Sequence, residues 1–296
     1  MKIVDVHSHG IDGYDTRTTN PDHVLKIAIL HGSRGVNAVV PTIYPGPVEW
    51  MRQNMAAVKG AMKQQASAYR NSPSGPNDSR FASIEGIHLE GPFLNPSRPG
   101  ALNRTFFQKP SQKTWKRLIE GFEDIVKIVT LAPELQGAPA LIKELRLTGI
   151  RVSLGHSNAT YAQAEKGFCA GATGITHLFN AMRGFHHREP GIAGFGLANP
   201  DMYVEIIADP FHLHKRVLDV IFALKNPDKI LIVSDSVKET SLREGRCPVK
   251  DANKTLQGGS MTITASSRRL IDLGFNKTKV MACITSNPCS YLGLPD

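Results

Sequence analysis

The sequence predicts an α/β protein, a single-domain (β/α)8 TIM barrel over residues 1–296. Two observations lead there. Short runs rich in Val and Ile alternate with segments of helical spacing, and the runs are apolar throughout rather than at every second residue. Strands of that kind belong to a parallel sheet covered on both faces. There are eight such runs, and no Gly-rich phosphate loop follows any of them, so a closed barrel is favoured over an open nucleotide-binding sheet.

The strands are expected at residues 3–7, 36–43, 83–89, 125–132, 150–156, 173–177, 203–208 and 229–235. Helical spacing covers 21–31, 48–70, 112–123, 138–148, 161–170 and 213–224. Between the second helix and the third strand, Asn71-Ser72-Pro73-Ser74-Gly75-Pro76-Asn77-Asp78-Ser79 is turn-forming and poor in apolar residues. The stretch 238–258 after the eighth strand is polar and charged. Segments 264–274 and 277–292 then read as helices that close the barrel. The sequence shows no internal repeat and no domain boundary.

Apolar residues at 41% are enough for a large core, and charged residues are 21%. The net charge is +9, but the basic residues are scattered, which argues against nucleic acid as a partner. No run is long and apolar enough for a bilayer, and the chain goes straight from Met1-Lys2 into a strand, so neither a membrane nor a secretory route is expected. Cys169, Cys247, Cys283 and Cys289 form no C-x-x-C pair, so neither a disulfide framework nor a zinc ribbon is indicated. A cytoplasmic location is the expectation.

The strand ends are where the sequence becomes specific. Buried strands should end in ordinary turn residues, yet six of these eight end in His, Glu or Asp. The first ends in His7 and His9, the third in His88-Leu89-Glu90, the fifth in Gly155-His156 and the sixth in Thr176-His177. The seventh ends in Asp209-Pro210-Phe211-His212 and the eighth in Ser234-Asp235. Residues two apart on a strand share a face, so His7 and His9 project together. In a barrel these ends lie around one rim, where barrel enzymes place their chemistry. A common metal site follows. Imidazoles with one or two carboxylates suit Zn²⁺ first, with Fe²⁺, Mn²⁺ or Co²⁺ as alternatives, at one or two ions per chain. Glu90 can bridge two ions, His156 and His177 can hold one, and His7 and His9 the second. Asp235 is placed to take a proton from a water acidified by the metal.

These motifs resemble the N-acetylglucosamine-6-phosphate deacetylases of the metal-dependent amidohydrolase superfamily. His88–Phe93 is similar to that family's ligand motif around Glu90. Gly155-His156-Ser157-Asn158-Ala159-Thr160 and Thr176-His177-Leu178-Phe179-Asn180-Ala181-Met182 are similar to the segments that supply its two histidine ligands. Ser234-Asp235 matches the catalytic acid position. The resemblance extends over nearly the whole chain, to Ser286-Asn287-Pro288 and Leu292-Gly293-Leu294. It implies a barrel of the metallo-dependent hydrolase type and hydrolysis of a linear amide C–N bond, removing acetate from an amino sugar phosphate. It implies that Asn180 and Ala181 offer backbone groups to the substrate and that His212, in Ile207-Ala208-Asp209-Pro210-Phe211-His212, contacts it. It also implies that Arg188, in Arg188-Glu189-Pro190-Gly191, binds the phosphate of a neighbouring subunit's substrate, which makes a homodimer the expected assembly.

Three departures stand out. The family's small β-sandwich has no counterpart in a chain that starts at the first barrel strand, so a barrel alone is expected. Leu102, in Gly100-Ala101-Leu102, stands where the family has a substrate-contacting His. Asp209-Pro210 replaces an Asp-Gly and stiffens the turn before His212. Among the other candidates, His214 is read as a helix start, His186 and His187 as rim surface, and His23 and His31 as unremarkable helix residues. Trp50 and Trp115 are read as packing. Two other functions stay open: an amidohydrolase acting on a different amide, and a non-catalytic, metal-stabilised sugar-binding protein.

Overall fold

Eight parallel strands follow one another around the barrel: β1 (Val4–Ser8), β2 (Ala38–Ile43), β3 (Ile87–Glu90), β4 (Val126–Leu131), β5 (Arg151–Leu154), β6 (Gly174–Ile175), β7 (Tyr203–Ile207) and β8 (Ile230–Val233). The computed structural model describes residues 1–71, 81–241 and 245–295. Most of the turn-forming 71–79 stretch therefore lies outside the described residues. Each strand pairs in parallel with the next in sequence, from β1 to β8. The seam between β8 and β1 is stitched rather than laddered. The Asp235 N–H donates to the His7 carbonyl at 2.9 Å, the Ser234 N–H donates to Asp5 Oδ1 at 3.2 Å, and Ser8 bridges Ser236. All eight expected strands are present. The third is the one corrected in detail: 83–89 is not one strand, because Ser83–Ile84 pairs with the start of β2 before the chain shifts into β3.

The helices α1 (Pro21–Gly32), α2 (Val48–Asn71), α3 (Gln112–Ile119), α4 (Ala138–Leu147), α5 (Tyr161–Ala170), α6 (Gly191–Ala198) and α7 (Lys215–Leu224) stand between the strands. Local capping explains several starts. Asn20 accepts from the Asp22 N–H, with Pro21 preset for the first turn. Thr160 and Gln163 form a reciprocal capping box before α5. Helix α3 stops at Ile119, before the predicted 123, because the chain turns through Gly121 at φ 82°. Helix α6 escaped the periodicity because its sequence, Gly-Ile-Ala-Gly-Phe-Gly-Leu-Ala, is rich in glycine. Packing requires at least one of them: a Cβ on Gly196 would sit 2.9 Å from Ile175 of β6.

After β8 come α8 (Ile263–Asp272), α9 (Lys277–Ala282) and α10 (Ser286–Leu292). The predicted helix 277–292 is thus two helices. Pro288 lacks an N–H and belongs in a first turn, so a new helix begins just before it. Helix α10 plugs the N-terminal end of the barrel. Asn287 Nδ2 donates to the Pro227 and Ile230 carbonyls at 2.7 and 2.8 Å, while Cys289 and Tyr291 pack with Val4, Val6, Ile128 and Val233 in the interior. The opposite end, where the strands terminate, stays open. No helix among the described residues is long and apolar enough to cross a membrane.

Trp115 of α3 is buried in the main core, as its spacing predicts. Trp115→Ala should destabilise the barrel by about 3–5 kcal/mol, read from denaturant unfolding. Trp50 is the opposite case: it is 58% exposed, stands against Phe106 and lines the rim of the open end, so its reading as packing is corrected.

Candidate metal centre

At the open end His7, His9, Glu90, His156, His177 and Asp235 come together. The Glu90 Oε1 atom lies 3.1 Å from His156 Nε2 and 3.0 Å from His177 Nε2, and its Oε2 lies 3.2 Å from His9 Nε2. His7 Nε2 is 3.3 Å from His9 Nε2 and 3.3 Å from Asp235 Oδ1. His156 and His177 meet at 3.1 Å through their Nε2 atoms. The donors form two sets, Glu90 with His156 and His177, and His7 with His9 and Asp235, with the Glu90 carboxylate lying between them.

The backbone is bent to make this meeting possible. His156, His177 and Asp235 have φ of 46°, 31° and 45°, and Phe179 and Ala181 lie in the same left-handed region at 76° and 47°. Non-glycine residues hold that conformation at a cost of order 1–3 kcal/mol each, and such strain gathers at functional sites. At these strand ends it turns the side chains away from the strand direction and over the barrel mouth.

The outer ring nitrogens settle what the inner ones can do. His7 Nδ1 lies 3.0 Å from the Glu205 carboxylate, His9 Nδ1 3.1 Å from the Thr42 carbonyl, and His156 Nδ1 3.0 Å from the Arg98 carbonyl. The two carbonyls can only accept, and so can Glu205 in its ionised form, so each Nδ1 carries the hydrogen against them. The three Nε2 lone pairs therefore face one another and two carboxylates. Such a gathering of acceptors is repulsive unless a cation lies among them, so the residues fit a divalent metal ion. Burial pushes His7 down to about 4, against the pull of Asp235 and Glu90, which keeps it a neutral ligand. Burial alone would lower His177 too, yet the Glu90 carboxylate holds it above its ordinary value, a further sign of the site's demand for positive charge. Glu205, raised to about 7 by burial, is 1% exposed behind His7.

His9, Glu90, His156, His177 and Asp235 form the floor of a cavity of about 610 Å³, whose walls include Arg17, Tyr44, Trp50, Leu102, Asn180, Ala181 and His212. Both ring nitrogens of His212 are engaged within the chain: Nδ1 lies 3.1 Å from Asp209 and Nε2 2.9 Å from the Gln257 carbonyl. Burial opposes its charge, but Asp209 outweighs that and holds His212 above its usual range. Arg188 is exposed, lies outside this cavity, and contacts His187 at 3.0 Å. His214 caps α7, accepting from the Arg216 N–H, and His186 and His187 are exposed. His31, read as unremarkable, is fully buried under the β1–β8 seam, with Nε2 3.0 Å from Ser8 Oγ.

Sequence reasoning passed over Glu205, Thr42, Arg98, Arg17 and Tyr44. Glu205 had a signal, being a carboxylate inside the otherwise apolar run Tyr203–Ile207, where burial without a partner is costly. The loop positions had none. Gly258-Gly259 also had a purpose that went unread. A Cβ on either would lie 2.0 Å from the Asp235 or Ser234 carbonyl, so only glycine allows this segment to run against the end of β8.

A closed barrel with histidines and carboxylates converging at its mouth defines a metal-dependent amidohydrolase. No family model matches the chain. It is 30% identical over 304 residues to the N-acetylgalactosamine-6-phosphate deacetylase of Escherichia coli O157:H7, covering 98% of this chain and 77% of that one. It is 33% identical over 318 residues to the N-acetylglucosamine-6-phosphate deacetylase of Rattus norvegicus, covering 99% and 74%. The crystal structure of N-acetyl-D-glucosamine-6-phosphate deacetylase from Mycobacterium smegmatis superposes with a TM-score of 0.82 at 27% identity, covering 99% of this chain and 78% of that one. The chain belongs to the N-acetylglucosamine-6-phosphate deacetylase family. In its matches to three further bacterial deacetylases it spans 58 to 62% of their length.

Proposed function

We propose that the chain hydrolyses the acetamide of an N-acetylated hexosamine 6-phosphate, releasing acetate and the amino sugar phosphate. The observation behind this reading is the convergence of five side chains able to hold a metal ion, with Asp235 beside them, at an open cavity in a member of this family. Glu90, His156 and His177 would hold one divalent ion, and His7 and His9, with Glu90, would hold a second. Zn²⁺ suits this donor set first. When bound, such an ion supplies Lewis acidity, acidifying a water and drawing charge from a carbonyl oxygen.

The chain's own residues do the rest. Asp235 Oδ1 accepts a proton from the water that attacks the acetamide carbon, and returns it to nitrogen as the C–N bond breaks. The backbone of Asn180 and Ala181 holds the sugar, and His212, clamped by Asp209, lines the cavity wall beside it. Arg188 reaches the phosphate of a neighbouring subunit's substrate as a bidentate fork, which makes the working unit a homodimer. Its exposure outside its own cavity is in keeping with that role. Four free cysteines, two of them exposed, suit the reducing cytoplasm where sugar phosphates are handled.

Arg188→Ala should raise KM for phosphorylated substrates by roughly 10- to 100-fold, the worth of a charged hydrogen bond, and leave unphosphorylated ones alone. Equal effects on both would remove Arg188 from the phosphate. The deciding assay measures acetate release from N-acetylglucosamine and N-acetylgalactosamine, each with and without a 6-phosphate, alongside metal content. Metal-replete protein that releases no acetate from any of the four would refute the proposal. A different amide substrate is the second reading, favoured by the apolar Leu102 in the cavity wall. A non-catalytic sugar-binding role has less support, since it gives Asp235 nothing to do at 3.3 Å from His7.

A further inference from the structure

We propose that the Tyr44 hydroxyl donates the hydrogen bond that stabilises the acetyl carbonyl oxygen of the substrate during attack; this rests on the deacetylase reading above. Tyr44 follows β2 at the barrel mouth and lines the cavity. Its ring stacks on the His9 ring, with centroids 3.8 Å apart and planes 21° apart. The Arg17 guanidinium lies 4.3 Å from the same phenol centroid. Arg17 is in turn held by Asp15 at 2.7 Å. Two groups cannot occupy one face of a ring at those distances. The phenol is therefore clasped between an imidazole of the metal centre and a fixed guanidinium, with its orientation set.

The hydroxyl on this clasped ring makes no hydrogen bond within the described residues. The neighbouring polar groups are committed. The Nε2 atoms of His9, His156 and His177 face into the metal cluster. Both nitrogens of His212 are engaged by Asp209 and Gln257. Asn180 Nδ2 faces the carbonyls of His177 and Leu178 at 3.3 and 3.4 Å, and Asn54 Nδ2 donates to Thr18 at 3.0 Å. Leu102 has no donor to offer. An oxygen that gains negative charge in the transition state is stabilised by a donor already in place and shielded from water. Tyr44 meets that description: it is preorganised, neutral, adjacent to the metal centre and unused.

Tyr44→Phe keeps the ring and its stacking and removes only the donor. Its kcat for acetate release should fall roughly 100-fold, with KM within about two-fold of wild type. Affinity for a phosphonamidate analogue, whose tetrahedral centre carries a charged oxygen, should weaken by the same factor. Binding of the deacetylated amine product, metal content and Tm should not move. An active wild type with Tyr44→Phe kinetics unchanged would overturn the role of Tyr44 and leave the deacetylase reading standing. Equal losses for analogue and product would also overturn it, reducing Tyr44 to ring packing. A wild type that neither releases acetate nor binds the analogue would overturn the deacetylase reading, and this inference with it.

Discussion

Asp235→Asn is expected to lower kcat by about 10²- to 10⁴-fold, the range that a positioned general acid–base contributes. Asparagine matches the carboxylate in shape and can still fill its place against His7 Nε2, 3.3 Å away. It cannot accept a proton from water or pass one to the departing nitrogen. The side chain is 13% exposed and opens onto the cavity, so the substitution leaves no buried charge without a partner. Binding should change less than turnover, because the proton moves only in the transition state. Steady-state kinetics with metal analysis on the same preparation provide the check. A variant keeping more than a tenth of wild-type kcat, with its metal in place, would take the proton transfer away from Asp235.

Glu90→Gln should have the largest effect on the metal itself. Glu90 lies within reach of His9, His156 and His177 at once, at 3.2, 3.1 and 3.0 Å. Glutamine removes the negative charge and turns an N–H donor toward imidazole lone pairs that a metal ion needs. Stoichiometry should fall to one ion or none, and acetate release should be lost. Stability should show the same change. An ion present at a thousand times its Kd adds about 4 kcal/mol to the folded state, so a chelator should lower the wild-type Tm by on the order of 10 °C. The variant's Tm should not respond to the chelator. A Glu90→Gln protein with the wild-type metal count and the wild-type chelator response would show that the site is organised around other ligands.

The parts of this molecule that could be read from its sequence share a physical reason. A strand buried on both faces admits few polar residues, so His7, Glu90, His156, His177 and Asp235 stand out at the ends of apolar runs. The barrel brings all such ends to one rim, and topology alone then places them together. Glu205 shows where that reading stopped short. It lies within β7 instead of at its end, and its pairing with His7 Nδ1 spans 198 residues of sequence. Helix α6 was hidden because its glycines, of which Gly196 lies against β6, depress helix propensity. Tyr44 and Arg17 sit in loops, where no periodicity marks a residue, and their importance arises from stacking against His9 and each other.

By itself, the sequence determined the eight-strand parallel barrel, the identity of the side chains gathered at its mouth, and the family to which the chain belongs. Hydrophobic period and the types of residue at strand ends are local properties, written in consecutive positions. The tertiary structure decided which nitrogen of each histidine faces inward, because that depends on the Glu205, Thr42 and Arg98 oxygens brought up from other strands and loops. It also decided that Glu90 lies between two donor sets and that a phenol from β2's loop is held against His9. Orientations of this kind arise from contacts between residues far apart in the chain, and they exist only once the barrel has closed.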